Sequence, residues 1–385
     1  MPWRERSAMD ERVSLVVRAL SGEGVSALAR EFGVHRKTAH KWLRVYREEG
    51  RLSALAERSR RPHHSPRQTP ESLAQRVAEL QAEYGWGGRK LSRLLLREGV
   101  KLAPATVDRI LRRRGLTSPG KRQRPATQRF ERATPNELWQ MDHKAEYLLA
   151  SGEKCVPLTI LDDHSRYVLA LDAQPSTAHE PTERSPRGCL ERHGVPRAML
   201  MDHGVPWWSA TSGHGLTRLS VMLIEQGIDV IYSSVAHPQT QGKVERFHGA
   251  LDRALRRRGV PDTRAAMGRE LARFRCEYNE VRPHESLGMA VPAERYQVSP
   301  SPYRAQPEPW AYPPGAEVRR INSAGLLDLP GERYFVCHAL AGRDVWCQRF
   351  GTKILVTYRH MHVREIDRRS GRTTAVVRPW YQPDL

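Results

Sequence analysis

The stretch LWQMD, at residues 138–142, is an apolar run that ends on an acidic residue, Asp142. A second apolar run, AMLM at residues 198–201, is followed directly by Asp202, and a glycine comes two residues later. Short apolar runs bounded by turn-forming residues are typical of strands that are buried in a sheet. We therefore expect both aspartates at or near the ends of strands in one sheet.

Strand-like and helical stretches alternate around these two runs. The other strand candidates lie at residues 156–161, 167–171 and 229–232, and the helical stretches at about 183–193, 216–226 and 241–256. Three strands followed by helix, strand, helix, strand and helix predict an α/β domain with a mixed sheet over residues 135–297. Within it, Pro175, Pro181 and Pro186 are expected to interrupt the helix that should cover the sheet, because proline lacks the backbone N–H that a helix needs.

A third acidic residue lies in a helical pattern that follows the last strand candidate. Glu245 belongs to the stretch HPQTQGKVERFH, residues 237–248, and shares one helical face with Gln241, His248 and Asp252. Carboxylates suit Mg²⁺, which prefers oxygen ligands and completes its shell with water and substrate phosphate. Two such ions can serve both the cutting and the joining of a phosphodiester. Three carboxylates brought together would therefore indicate a site for phosphodiester chemistry.

The order of these motifs resembles that of the DDE-type insertion-sequence transposases, whose catalytic core has the RNase H-like fold of retroviral integrases. The matching stretches are WQMD at 139–142, LDDHSR at 161–166, MDHGVP at 201–206, the motif at 237–248, YN at 278–279, RPHESLG at 282–288 and PAERY at 292–296. The resemblance implies that Asp142, Asp202 and Glu245 are the catalytic and metal-binding residues and that the cofactor is Mg²⁺ or Mn²⁺. The chain departs from the family pattern after the second acid, where His203 replaces the usual asparagine.

Two further pairs of charged residues lie close to these motifs. Lys243 and Arg246 flank the third acid, and they are candidates to hold phosphate oxygens of DNA as charge partners. Asp162 and Asp163 lie between two strand candidates, and we interpret them as parts of a turn rather than as catalytic residues.

Positive charge is concentrated in the N-terminal third of the chain. Residues 1–130 contain 29 Lys and Arg against 13 Asp and Glu, within a chain of 385 residues and net charge +20, and such a basic region is typical of nucleic-acid binding. Residues 8–58 resemble a helix-turn-helix domain whose recognition helix begins near residue 35. The side chains expected to contact DNA there are Arg36, Lys37, Thr38, His40 and Lys41. Residues 67–116 repeat the helical pattern and predict a second helical DNA-binding domain.

The remaining segments complete a multidomain chain. Residues 117–134 are rich in basic residues and proline and are expected to form a linker. Short strand candidates within residues 315–380 predict a small all-β module. The fold class expected is therefore all-α helix-turn-helix units, a central α/β RNase H-like core with a mixed sheet, and a C-terminal all-β module.

These features together predict a transposase that performs metal-dependent cleavage at the ends of a DNA element, followed by strand transfer. By the family resemblance, the core would hydrolyse a phosphodiester to free a 3′-OH, which then attacks target DNA. The partners expected are the element's terminal repeats and the target DNA. We expect at least a dimer, because two ends must be joined together.

Two other functions fit part of the same evidence. A DNA-binding regulator, or a transposase copy that has lost its activity, would retain the helix-turn-helix domains without the chemistry. A nuclease for RNA–DNA hybrids would use a similar core, but the flanking DNA-binding blocks disfavour it.

Composition restricts where the protein acts. No run approaches the ~18 apolar residues that indicate a membrane span, and no apolar stretch typical of a signal peptide follows residue 1. The five cysteines show no zinc-like spacing, and an odd number of cysteines favours reduced thiols. We therefore expect a cytoplasmic protein without a membrane partner.

Overall fold

The computed structural model describes residues 7–57, 68–117, 131–209, 215–233 and 242–381. Most of the basic linker expected at 117–134 and the first part of the motif at 237–248 lie outside these ranges. The chain forms two compact units, Met1–Pro70 and Glu71–Leu385. None of the helices within the described ranges combines the length and the apolar character needed to cross a membrane. The finer domain limits expected from the sequence remain predictions.

The first unit is a small helical bundle. Its helices are α1 (Ala8–Leu20), α2 (Val25–Glu31) and α3 (Arg36–Glu49), followed by a 3₁₀ turn at Leu52–Leu55. Leu15, Val16, Leu43 and Leu55 form the centre of its apolar core. Gly33 takes a φ of 61° in the short turn between α2 and α3, a conformation that glycine adopts without strain. The helix-turn-helix expected from the sequence is therefore confirmed.

The second unit begins with three helices, here called the helical trio. They are α4 (Glu71–Tyr84), α5 (Gly88–Arg97) and α6 (Pro104–Arg113). Pro104 opens α6 at a position where the missing N–H would have no helical partner. Two ion pairs join α5 to the segment that follows the core helices: Arg89–Glu285 at 2.7 Å and Arg97–Glu294 at 2.9 Å. The trio therefore packs directly on the core.

A six-stranded mixed sheet forms the centre of the second unit. Its strands are β1 (Trp139–His143), β2 (Tyr147–Leu148), β3 (Lys154–Asp162), β4 (Val168–Gln174), β5 (Ala198–Met201) and β8 (Asp229–Tyr232). Between β5 and β8 the chain forms a separate two-stranded ribbon of β6 (Trp208–Ser209) and β7 (Gly215–Leu216). The order is β2-β3-β1-β5-β8, and β4 also pairs with β3. β1 and β4 are antiparallel to β3, whereas β5 is parallel to both β1 and β8. The mixed sheet predicted for the core is thus confirmed.

Helices cover both faces of this sheet. They are α7 (His179–His193), α8 (Arg218–Glu225), α9 (Gly242–Arg258) and α10 (Arg264–Cys276). Phe247 of α9 and Phe274 of α10 pack against Leu161 and Val168 on one face. Leu190 of α7 and the apolar side of α8 contribute to the cluster on the other face.

The expected interruption of α7 by prolines is wrong. Pro175 precedes the helix, and Pro181 lies in its first turn, where the backbone N–H groups have no helical partners in any case. Pro186 lies inside the helix and is buried, so burial of the apolar face offsets the one hydrogen bond that this proline cannot donate.

The C-terminal region is all-β, as the sequence predicts, and its strands pair in an antiparallel sheet. The sheet contains five strands: β9 (Val318–Arg320), β12 (Asp344–Phe350), β13 (Lys353–Tyr358), β14 (Met361–Asp367) and β15 (Arg372–Pro379). They pair in the order β15-β14-β13-β12-β9. A separate hairpin is formed by β10 (Leu326–Leu329) and β11 (Glu332–Phe335). The apolar side chains of the sheet join the same buried cluster as α8. The Tyr358 hydroxyl donates to Glu225 of α8 at 2.9 Å. The sheet is therefore packed on the core.

Candidate active site

The pairing of β1 with β5 brings the first two acids together. These strands are parallel, and Trp139 and Gln140 lie opposite Met199 and Leu200. Continuing this register by two residues brings Asp142 level with Asp202, which directly follows β5. Neighbouring strands lie about 4.8 Å apart, and residues at the same level point to the same face of a sheet. The sheet itself therefore places these two carboxylates side by side.

The third acid lies on α9, which crosses above this pair. His248 of α9 approaches Asp142, with 3.9 Å between its Nδ1 and the Oδ2 of Asp142, and its Nε2 lies 3.0 Å from the hydroxyl of Thr159. Glu245 lies one helical turn before His248, and residues three apart share one side of a helix. The exposed Glu245 is thus on the side of α9 that faces the two aspartates.

The charges of Asp202 and Glu245 act on the carboxylate of Asp142. Burial, reinforced by the charges of Asp202 and Glu245, raises the pKa of Asp142 to about 7. Burial also lowers the pKa of His248 to about 4, so that its ring is neutral at pH 7. Within the described ranges no Lys or Arg lies within 4.0 Å of any of the three carboxylates. Such an uncompensated group of carboxylates is chemically suited to a divalent cation.

The three carboxylates do not yet form a closed ligand set. Among the residues that the structure describes, no three His, Cys, Asp or Glu side chains are close enough to be a ready metal site. Asp202 uses one oxygen to accept the Gly204 N–H at 2.9 Å, which fixes the orientation of its carboxylate. The carboxylate of Asp202 is therefore oriented by its own loop, whereas the side chain of Glu245 is exposed to solvent.

Asp162 and Asp163 form part of the β3–β4 turn, as the sequence predicts. Asp162 accepts hydrogen bonds from the backbone N–H of Asn136 at 2.8 Å and of Ser165 at 2.7 Å. Asp163 accepts from the Gln140 amide at 2.8 Å and also pairs with the Lys243 ammonium. Both carboxylates are fully buried, which indicates a structural role.

The two cations that flank the third acid have different surroundings. The side chain of Lys243 is mostly buried, and its ammonium contacts both the carboxylate and the carbonyl oxygen of Asp163. This contact speaks against the phosphate-binding role predicted for Lys243. Arg246 is exposed beside the site and remains a candidate for that role.

Several neighbours of the acids could not be identified from the sequence. His143 stacks on the buried ring of Trp207, with 4.8 Å between the centroids. The Nδ1 of His203 lies 2.9 Å from the carbonyl oxygen of Ser233, and its ring packs on Trp208. These rings hold the loop after β5 in place. No spacing in the sequence indicates the contacts of His143 with Trp207 and of His203 with Ser233, because they join residues far apart in the chain.

The side chains expected to contact DNA lie together on α3. All five are exposed along its first two turns: Arg36, Lys37, Thr38, His40 and Lys41. The His35 side chain caps this helix by accepting the Lys37 N–H at 3.2 Å. The buried side of α3 carries Ala39 and Leu43, so the polar side faces outward. This surface has the form of a recognition helix for the major groove.

Comparison with protein families matches three parts of the chain. Residues 226–292 match an integrase core domain, residues 11–63 a helix-turn-helix domain, and residues 38–111 a homeodomain-like domain. The integrase match includes Glu245 and the whole of α9.

Similar proteins come from bacterial mobile elements. The insertion element IS407 uncharacterized 31.7 kDa protein of Burkholderia multivorans is 26% identical over 232 residues, which cover 58% of this chain and 80% of that protein. The insertion element IS476 uncharacterized 39.2 kDa protein of Xanthomonas euvesicatoria is 28% identical over 292 residues, covering 71% and 79%. The transposase for transposon Tn552 of Staphylococcus aureus is 30% identical over 139 residues, covering 32% and 28%.

Proposed function

We propose that this chain, which matches an integrase core domain and helix-turn-helix domains and resembles proteins of bacterial insertion elements, is an insertion-sequence transposase, and that Asp142, Asp202 and Glu245 are the acidic triad with which it cuts and joins DNA. The family and the helix-turn-helix domains assign the protein to DNA transposition. The observation that carries the proposal for the triad is that Asp142 and Asp202 lie at the same level of neighbouring strands, with Glu245 on the side of α9 that faces them and no Lys or Arg within 4.0 Å among the described residues.

The group that this site would hold is a divalent cation, Mg²⁺ or Mn²⁺, with Asp142, Asp202 and Glu245 as its protein ligands. When bound, it supplies neutralisation of charge at phosphorus and a strong oxygen nucleophile, either water or the 3′-OH of a DNA end. The donor set fits this group because all three side chains offer hard oxygen ligands.

The remaining contacts in the site position the acids and the DNA. The sheet fixes Asp142 and Asp202 before substrate arrives, so that little reorganisation is needed at those two positions. Rotation of the exposed Glu245 side chain would complete the set. Neutral His248, held by Thr159, packs beside Asp142 without adding a competing positive charge. The exposed surface of α3 would recognise the element's terminal repeat, and at least two copies of the chain would be needed to bring both ends together.

The test replaces each acid by its amide. Asp142→Asn, Asp202→Asn and Glu245→Gln should each reduce metal-dependent end cleavage and strand transfer by about 100-fold or more, because an amide cannot supply the negative charge that the cation requires. End binding should remain close to wild type, because recognition lies in another part of the chain. The assay is incubation with DNA carrying the element's flanking repeats and Mg²⁺, followed by sequencing of the products.

A matched control separates the role of the triad from a general loss of charge. Glu191 is exposed on α7, and Glu191→Gln makes the same chemical change on another helix of the core. Its activity should equal that of the wild type. Full activity of Glu245→Gln would contradict the assignment of the third acid.

A DNA-binding regulator is the second candidate function. The observation in its favour is that the described residues hold no ready cluster of three metal ligands. In that case the wild-type protein would bind the repeat but show no metal-dependent product, and the three amide variants would be indistinguishable from it.

A further inference from the structure

A cleft lies between the helical trio and the core, away from the three acids. Its volume is about 520 Å³, and it is enclosed by the turn before α5, by the C-terminal half of α9 and by the segment after α10. Five basic residues line it: Arg89, whose guanidinium pairs with Glu285, and Lys90, Arg253, Arg257 and Arg282. All of these elements belong to the second compact unit.

The acidic side chains of the cleft leave four of these cations without a partner: Lys90, Arg253, Arg257 and Arg282. Glu277 pairs with Arg258, Glu285 pairs with Arg89 at 2.7 Å, and Asp108 accepts the Gly88 N–H at 2.9 Å. Within the described part of the chain, none of Lys90, Arg253, Arg257 and Arg282 lies within 4.0 Å of a carboxylate. The cleft therefore has a net positive charge.

Several hydrogen-bond donors in the cleft are buried and unsatisfied. They are Nε and Nη2 of Arg257 and Nε of Arg282, which have no partner among the described residues. Buried donors without a partner are unfavourable, and more so when they are charged. An oxygen-rich anion would supply the acceptors that these guanidinium groups lack.

The cations also repel one another. Burial and the charges of Arg253 and Arg257 lower the pKa of Arg282. Burial and the charge of Arg282 lower the pKa of Lys90 to about 7. A bound anion would relieve this repulsion and favour the protonated form of Lys90.

We propose that this cleft binds a phosphate group of the DNA backbone and thereby holds the substrate strand between the helical trio and the core. The proposal rests on the function proposed above, because it takes DNA as the substrate. Guanidinium groups match phosphate oxygens in geometry, which suits Arg253, Arg257 and Arg282 to this ligand.

The position of the cleft relative to the acids supports DNA over a small free anion. Arg253 and Glu245 lie on the same helix, eight residues apart, which corresponds to roughly 12 Å along the helix axis. Each nucleotide of a strand advances about 3.4 Å along duplex DNA. A strand whose reacting phosphate lies at the acids would therefore reach the cleft about four nucleotides away.

The test removes charge from the cleft and measures binding of the full-length protein to duplex DNA carrying the element's repeat. Arg253→Gln/Arg257→Gln should weaken binding by about 10-fold at moderate salt and should lower the slope of log affinity against log salt by about 1 to 2, because fewer counterions are released. Arg253→Gln alone, at an exposed position, should show a smaller change in the same direction and is the variant least able to disturb folding.

The control is Arg369→Gln/Arg372→Gln, which removes two exposed charges from the β14–β15 hairpin, one in its turn and one at the first residue of β15. Its salt slope should stay close to that of the wild type. An equal loss in both double variants, or no loss in the cleft variants, would overturn the proposal.

A second arm distinguishes a DNA phosphate from a free anion. Binding of inorganic phosphate is measured for the wild type and for Arg253→Gln/Arg257→Gln, at constant ionic strength. A variant that loses inorganic phosphate binding but binds DNA as the wild type does would refute a DNA site in the cleft. Cleavage of the same DNA is recorded in parallel. If the wild type cleaves the DNA in a metal-dependent way but Arg253→Gln/Arg257→Gln has an unchanged salt slope, only the cleft proposal is refuted. If the variant has a reduced salt slope but the wild type does not cleave, only the triad proposal is refuted.

Discussion

At the scale of single residues, Lys243 shows how a side chain beside a proposed catalytic acid can have a structural role. Its position two residues before Glu245 favours a contact with DNA phosphate, yet its ammonium pairs with the fully buried carboxylate of Asp163. That carboxylate also accepts the Gln140 amide and the backbone N–H of Arg132. The pair therefore joins α9 to the β3–β4 turn directly beside the third acid.

This arrangement predicts a specific pattern of stability. Lys243→Met should lower the free energy of unfolding of the second unit by about 3 kcal/mol, because it leaves a buried negative charge without its cation. Lys243→Met combined with Asp163→Asn should be less destabilised than Lys243→Met alone, because both charges are then absent. Urea unfolding of the three proteins measures these differences. Unchanged stability of Lys243→Met together with weaker DNA binding would restore the phosphate-binding role.

At the scale of elements, α7 is the helix for which the prediction from its prolines was wrong. The helix forms because its apolar side chains, including Cys189 and Leu190, are buried in the cluster beneath the sheet. Burial of such side chains contributes about 1.5–3 kcal/mol each, comparable to the roughly 3 kcal/mol that one interior proline costs. Tertiary packing thus overrides the local preference at Pro186.

We expect Pro186→Ala to stabilise the protein by about 1 kcal/mol, because the restored hydrogen bond outweighs the loss of part of a buried ring. Pro181→Ala is the matched control, and it should change stability little, because Pro181 lies in the first turn. Thermal unfolding of both variants provides the comparison. Destabilisation by Pro186→Ala would show that packing of the ring matters more than the missing hydrogen bond.

The sequence predicted the elements that carry a strong local pattern. The strand at Asp229–Tyr232 begins and ends where expected, and helix α9 begins within one residue of its expected start. Helix α10 was not expected, although it packs Phe274 against the α9 side of the sheet. Contacts between distant residues, such as His143 with Trp207 and His248 with Thr159, had no local signal, because they depend on how the strands and helices pack.

At the scale of the whole molecule, the C-terminal sheet and the core share one apolar cluster. Ile354 and Met361 of that sheet belong to the same buried cluster as Leu219 and Ile228 of the core. Asp229 at the start of β8 also contacts His360, with 3.4 Å between His360 Nε2 and Asp229 Oδ1. The sequence predicted the all-β character of this region, because strands alternate locally, but it did not reveal the shared cluster. The core sheet that positions Asp202 is thus supported on one side by the C-terminal sheet.

The central claim is that Asp142, Asp202 and Glu245 together hold a divalent cation, and local oxidative cleavage tests it without depending on transposition activity. Fe²⁺ with ascorbate and peroxide generates radicals that cut the backbone close to the bound ion, and Fe²⁺ accepts the oxygen ligands that Mg²⁺ uses. For the wild-type protein we expect cuts near residues 142, 202 and 245 that excess Mg²⁺ suppresses, and loss of all three sets of cuts in Asp142→Asn. Cuts confined to other parts of the chain, or unchanged cuts in Asp142→Asn, would contradict the claim.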